Sequence, residues 1–162
     1  MADDAPLTEK IIRIVVDEAQ RIRLSPAVEQ ERRAALFDLI EENSFRLNNG
    51  KLGPYVVFLS VEEGRILKFR VYDQAENDLD DFTLFLSELQ SIIKDYFLIC
   101  ESYVDAIRTL PPSRIEAIDM GRRGLHNEGA DILRERLANK VTMDKDTARR
   151  LFTLVCVMHI RG

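Results

Sequence analysis

The chain has 162 residues, 46% of them hydrophobic and 31% charged, with a formal net charge of −5. That length supports one self-sufficient core, and that balance excludes a disordered chain. An acidic chain also lacks the general basic field of a nonspecific nucleic-acid binder, so nucleic acid ranks last among the prospective partners.

The opening "MADDAPLTEK" is acidic and has no apolar leader core, and no apolar run reaches the roughly 18 residues of a membrane span. The expectation is a cytoplasmic protein, with a single α+β domain over residues 1–162 and residues 1–8 as a disordered N-terminal extension. "KIIRIVVDEA" alternates with Ile12, Ile14 and Val16 on one face, which predicts a strand with that face buried. "LSPAVEQERRAALFDLIEENSF" then opens a helix with Ser25 as N-cap and Pro26 in its first turn. Its apolar stripe is Val28, Ala35, Leu36, Leu39 and Ile40.

"LNNGKLGP" has the Asn, Gly and Pro content of a loop. "PYVVFLSVEEGRILKFRVYD" predicts a β-hairpin turning at Glu63-Gly64. Asp73 to Asp81 hold five acids in nine residues and predict a solvated connection, with no spacing that suits a metal. "FTLFL" adds a third strand, and Ser87 with Gln90 offers a capping box to the next helix. In that helix Leu89, Ile92, Ile93, Tyr96, Phe97, Cys100, Tyr103, Val104 and Ile107 make a sustained apolar stripe, so it should run through the core.

"LPPSRIEAIDM" ends one helix and starts another, with Ser113 and Glu116 as a second possible capping box. The last element, "DKDTARRLFTLVCVMHI", is apolar nearly all round from Leu151 to Met158, as befits either a core centre or the interface of a homodimer. Cys100 and Cys156 each lie in an apolar run and read as buried thiols in a reducing compartment. The order is roughly β-α-β-β-β-α-α-α: an α+β fold whose small antiparallel β-sheet, of three to four strands, packs with a helical C-terminal half.

One stretch departs from the rest. "IDMGRRGLHNEG", Ile118 to Gly129, places three glycines, two arginines and a histidine inside a helical pattern. It lies in the one net-basic region: residues 1–107 hold 12 Lys and Arg against 21 Asp and Glu, net −9, while residues 108–150 hold 10 against 7, net +3. On a helix over 113–138, Asp119, Arg122 and His126 share the stripe of Ile115, Ile118, Leu125, Ile132, Leu133 and Leu137. Three polar groups on a packed face must pair with one another, meet partners elsewhere or line a cleft. Each interior glycine costs about 1 kcal/mol relative to alanine, so the alternative is two helices broken at Gly121-Gly124, with an anion site at the fresh N-terminus.

Either arrangement suits recognition of a phosphate or carboxylate by Arg122, Arg123, His126 and Asn127, because guanidinium donates paired hydrogen bonds and imidazole works near neutral pH. It suits a structural ion-pair network equally. No GxSxG elbow, Walker A loop, HExxH or CxxC occurs, so neither a cofactor nor a metal is implied. His126 and Glu128 point to different sides of a helix and make a poor metal pair, and His159 reads as a cation at a helix C-terminus.

"SPAVEQERRAALFDLIEENSF", "IIKDYFLICESYVDAIRT", "PSRIEAIDMGRRGLHNEGADIL" and "DTARRLFTLVCVMHIRG" together resemble a family of small, uncharacterised alphaproteobacterial proteins. The resemblance is densest from Lys94 onward and implies a bacterial cytoplasmic setting, without an assigned activity. Departures from the relatives are expected at "MADDAPLT" and in the acidic loop near Asp78.

Three functions follow as expectations. The first is a non-enzymatic binding or regulatory protein that presents Arg122, Arg123 and His126 to a small anionic ligand or an acidic protein partner. The second is a small hydrolase or transferase, with His126 as general acid/base, Asp119 orienting it and Arg122 stabilising negative charge. The third is a homo-oligomer in which the polar cluster is purely structural.

Overall fold

Alternating apolar residues in "YVVFLSVE" and "ILKFRVY" build the centre of the sheet. In the computed structural model, which describes residues 5–17 and 26–158, strands β3 (Tyr55–Glu62) and β4 (Ile66–Tyr72) pair antiparallel. Glu63 (φ 54°) and Gly64 (φ 69°) make the turn, and the Arg65 N–H donates to the Glu62 carbonyl at 3.1 Å. Two successive positive φ angles match the right-handed twist of the flanking strands. Tyr55, Val57 and Leu59 point inward beside Leu67, Phe69 and Val71, and all six are buried.

Strand β5 (Asp78–Phe85) adds to β4, stacking Phe82 on Phe69 with ring centroids 5.1 Å apart. It begins inside the acidic stretch expected to be a loop. The connection is instead confined to the turn before it, where the Asp73 carboxylate accepts from the backbone N–H groups of Ala75 and Asn77.

Strand β1 (Ile11–Val16) completes the order β1-β3-β4-β5 and lies parallel to β3, so the sheet is mixed and not purely antiparallel. Parallel neighbours need a long crossover, which helix α1 (Pro26–Glu41) supplies. An irregularity between Ile11 and Arg13 also corrects the expected inner face. Ile12 falls at the bulge, and buried Ile11 takes its place beside Ile14 and Val16. Of the expected extension, residues 5–8 are described; Leu7–Glu9 form a 3-10 turn, and the Thr8 carbonyl accepts from the Gly53 N–H at 2.7 Å. Ser25 and His159 lie outside the described residues.

Helix α1 ends at Glu41, short of the Phe45 expected in it. Asn43 makes that stop: its side chain accepts from the Ile11 N–H (2.7 Å) and donates to the carbonyls of Ile11 (2.8 Å) and Leu39 (2.7 Å). Phe45 then opens β2 (Phe45–Leu47), which pairs with β6 (Val141–Met143) across some 96 residues of chain, Arg46 facing Thr142. These two strands are additions to the expected order.

Helix α2 (Gln90–Thr109) follows a 3-10 turn at Leu86–Glu88, and helix α3 (Pro112–Arg136) has Pro111 and Pro112 at its start. Neither expected capping box forms, since no side chain caps either helix; the prolines at the start of α3 leave fewer N–H groups to satisfy. Helix α4 (Lys145–Met158) is capped by Asp144, whose carboxylate accepts from the Thr147 N–H at 2.8 Å. Every residue of α4 from Leu151 to Val157 is buried by the chain itself. That burial accounts for its apolar circumference and leaves no exposed face there for a second copy. Cys100 and Cys156 are buried free thiols, and no described helix is long and apolar enough to cross a membrane.

Candidate functional site

Helix α3 runs unbroken through Gly121, Gly124 and Gly129, so the two-helix alternative is not formed. The glycines differ in what they permit. A Cβ on Gly129 would collide with the Phe152 ring of α4, and one on Gly121 would lie 2.7 Å from the Ile99 Cδ1 of α2, whereas Gly124 faces open space. Gly129 therefore sets how closely α3 and α4 approach.

One to two turns earlier, the same stripe is polar. Arg122 donates through Nη2 to Asp119 Oδ1 at 2.7 Å and through Nη1 to Glu31 Oε1 on α1. Tyr96 of α2, fully buried, donates its hydroxyl to the other Glu31 oxygen at 3.1 Å. Arg123 holds the second Asp119 oxygen at 2.9 Å. The Arg122 guanidinium also lies over the Tyr103 ring, 5.7 Å from its centroid, while its buried Nε finds no acceptor among the described residues. Burial works against the charge on Arg122, but the Asp119 hydrogen bond and the Glu31 charge outweigh it, and its pKa rises. The Arg122 hydrogen bond in turn draws the Asp119 pKa below its usual value. Asp119, Arg122 and Glu31 thus form an ion-pair network joining α3 to α1.

His126, one turn further, stands beside Tyr96 (centroids 5.2 Å apart), with Phe152 at its edge. Its Nε2 lies 3.3 Å from Thr153 Oγ1, and that hydroxyl donates to the Arg149 carbonyl at 3.1 Å. A hydroxyl has one hydrogen, so Nε2 carries the proton and donates. Burial, reinforced by the positive charges of Arg122 and Arg149, pushes the His126 pKa down to about 4. The imidazole is therefore neutral at pH 7. Asp119 is turned toward the arginines and makes no hydrogen bond to it, so the carboxylate-oriented histidine of the enzyme reading is not assembled.

Helices α1 to α4 all border a cleft of about 560 Å³ at this place. Arg122 and His126 line it from α3, Glu31 and Asp38 from α1, and Arg149, Arg150 and Thr153 from α4. Arg123 and Asn127 lie outside it: Arg123 projects into solvent, and Asn127 is half-buried away from the cleft lining. Glu31, Arg149 and Arg150 were missed by sequence reasoning. Glu31 sits in a charged helix face with nothing to distinguish it from Glu29 or Arg32, but an arginine pair directly before the apolar run from Leu151 to Met158 is a signal that could have been followed. Among the described residues no three His, Cys, Asp or Glu side chains converge in a way that could hold a metal.

The model of an uncharacterised protein family, UPF0262, matches residues 8–161. The chain belongs to the UPF0262 family. It is 52% identical to the UPF0262 protein of Paramagnetospirillum magneticum, over 97% of this chain and 99% of the relative. For those of Rhodospirillum rubrum and Mesorhizobium japonicum the identities are 53% and 54%, with 96% and 94% of this chain and 95% and 94% of each relative covered. No solved structure matches the chain. UPF0262 is an uncharacterised family, so the cleft is what bears on function.

Proposed function

We propose that the protein is a non-catalytic binding or regulatory protein that takes an anionic group into the four-helix cleft. The supporting observation is that α4 brings two incompletely used guanidinia there. Arg149 contacts Asp146 in its own turn at 3.3 Å and keeps 39% of its side chain exposed, and Arg150 gives one Nη1 bond, 2.7 Å long, to the Glu42 carbonyl. Each has donors left for a carboxylate or phosphate. Arg122 and His126 remain part of this reading as the floor of the cleft, with Arg122 already balanced by two carboxylates. Arg123 and Asn127, which stand apart, lose the weight that Arg149 and Arg150 gain. A neutral His126 lacking a carboxylate partner favours binding over proton transfer.

Thermal unfolding in acetate and in inorganic phosphate, against chloride at equal ionic strength, tests the proposal. The expected result is a Tm that climbs with the logarithm of anion concentration. The double variant Arg149→Ala/Arg150→Ala should lose that response while keeping the Tm of the anion-free protein close to wild type. A wild-type Tm indifferent to both anions would sink the reading.

A further inference from the structure

When the charged groups at the cleft are paired off, two are left over. Arg122 and Arg123 are matched by Glu31 and Asp119, and Arg149 by Asp146. What remains on the lining is one cation and one anion. Arg150 is bonded to the neutral backbone carbonyl of Glu42, and the Asp38 carboxylate has no hydrogen bond or ion pair among the described residues. The arginine end therefore carries no net charge, and a simple anion seated on Arg150 would leave Asp38 unmatched beside it. Asp38 lies one turn before Glu42 at the end of α1, its carbonyl accepting the Glu42 N–H at 3.1 Å, so Arg150 and Asp38 are anchored about 6 Å apart along that helix. A ligand that carries both charges can satisfy both groups at once. Next to them the lining turns apolar, with Ala34 one turn before Asp38 on α1 and Val104 and Ile107 on α2, Ile107 being 55% exposed. Further along α1 it is polar again, with Gln30 and the closed Glu31-Arg122 pair.

Resting on the anion-binding reading and naming its ligand class, the geometry points to a free α-amino acid with an aliphatic side chain: its carboxylate on Arg150 and the spare donors of Arg149, its ammonium on Asp38, its side chain against Val104 and Ile107. An α-amino acid holds its two charges on one carbon, which suits partners one helical turn apart, and its electrical neutrality matches the balanced lining. Without its ammonium the ligand sets a carboxylate beside Asp38; without its carboxylate it sets an ammonium beside Arg150. Either loss replaces an attraction by a repulsion.

Calorimetric titration of the full chain at neutral pH with leucine, with isocaproate (leucine without its amine) and with isoamylamine (leucine without its carboxylate) tests this. Leucine should bind roughly tenfold or more tighter than either, the loss expected when one charge-assisted hydrogen bond is removed. Asp38→Asn, at an exposed position, should weaken leucine by a similar factor and strengthen isocaproate, because it takes away the charge that repels a lone carboxylate. Isocaproate bound as tightly as leucine, or a leucine affinity that survives in Asp38→Asn, overturns this inference and spares the anion-binding reading. Isoamylamine bound as tightly as leucine overturns it as well. So does a ligand-free Asp38→Asn protein that melts well below wild type, since Asp38 would then already be held by an arginine. A Tm raised by acetate or phosphate with no binding of leucine removes this inference alone. Indifference of wild type to acetate, phosphate and leucine removes both readings together.

Discussion

The two halves of helix α3 meet the rest of the molecule by opposite means. From Gly129 to Leu137 the helix is pressed dry onto the core: Gly129, Ala130, Leu133 and Leu137 are buried, and nothing larger than hydrogen fits between Gly129 and Phe152. From Asp119 to His126 the same face is half-buried, held at a distance from α1 by the Glu31-Arg122-Asp119 network, and bordered by the cleft. Small side chains close a gap between helices, whereas long charged ones bridge it and leave room beside them. A space for a ligand is thus a consequence of changing side-chain type along one stripe.

The sharpest way to break the dry half is Gly129→Ala. The added methyl would meet three carbons of the Phe152 ring, which belongs to a packed core and cannot swing away, so stability should fall by about 3 kcal/mol or more. Denaturant titration measures it, and a loss below about 1 kcal/mol would mean that the helices are free to separate.

The polar half should announce itself through pH. His126 titrates at 6.5 in an unfolded chain and near 4 when folded. Between those values the unfolded state binds a proton that the folded state refuses, so the contribution is complete above pH 6.5 and is lost as pH falls toward 4, amounting to on the order of 3 kcal/mol. His126→Gln should remove that part of the acid sensitivity, leaving the Asp119 contribution, which is lost only below its ordinary 3.8. Identical pH profiles for wild type and variant would place the imidazole in contact with water.

A smaller effect is expected from the bridge itself. Arg122→Met keeps the stem but leaves Glu31 with the Tyr96 hydroxyl and Asp119 with Arg123; with side chains still 21–23% exposed to screening water, the cost should be roughly 2 kcal/mol, below that of a fully enclosed pair. Adding Glu31→Gln should recover part of it, and a double variant no better than the single would show that the two groups are not coupled. Least of all, Gly124→Ala meets nothing within 4 Å and should stabilise the protein by about 0.5–1 kcal/mol through helix propensity. A Tm lower than wild type would reveal a neighbour at that position. Gly129 and Gly124, equal in sequence, thus separate by sign and size.

Much of the fold was legible because its signals are local. The Glu63-Gly64 turn, the apolar stripe of α2 and the all-round apolarity of α4 each lie within a single stretch of chain. The absence of both capping boxes has a local cause too: a 3-10 turn displaced one start, and prolines supplied the other. The bulge at Ile12 was not legible, because one extra residue shifts a strand's face only in relation to its partner. The pairing of β2 with β6 joins two three-residue segments, each too short to stand out and far apart in the chain. At the site, the i,i+3 spacing placed Asp119 beside Arg122 as the structure has it, while the partnership with Glu31 and the removal of Arg123 and Asn127 from the cleft depended on where α1 comes to lie.

By itself, then, the amino-acid order determined the helices α1 to α4, the β3-β4 hairpin, the apolar stripe of α2, and that Asp119, Arg122 and His126 share a helical stripe, since periodicity and spacing along one element fix these. Tertiary structure alone decided what that stripe faces. Contacts between Glu31 and Arg122, between Gly129 and Phe152, and between the α4 arginines and the cleft span 23 to more than 100 residues of chain, and only the docking of one helix on another sets distances over such separations.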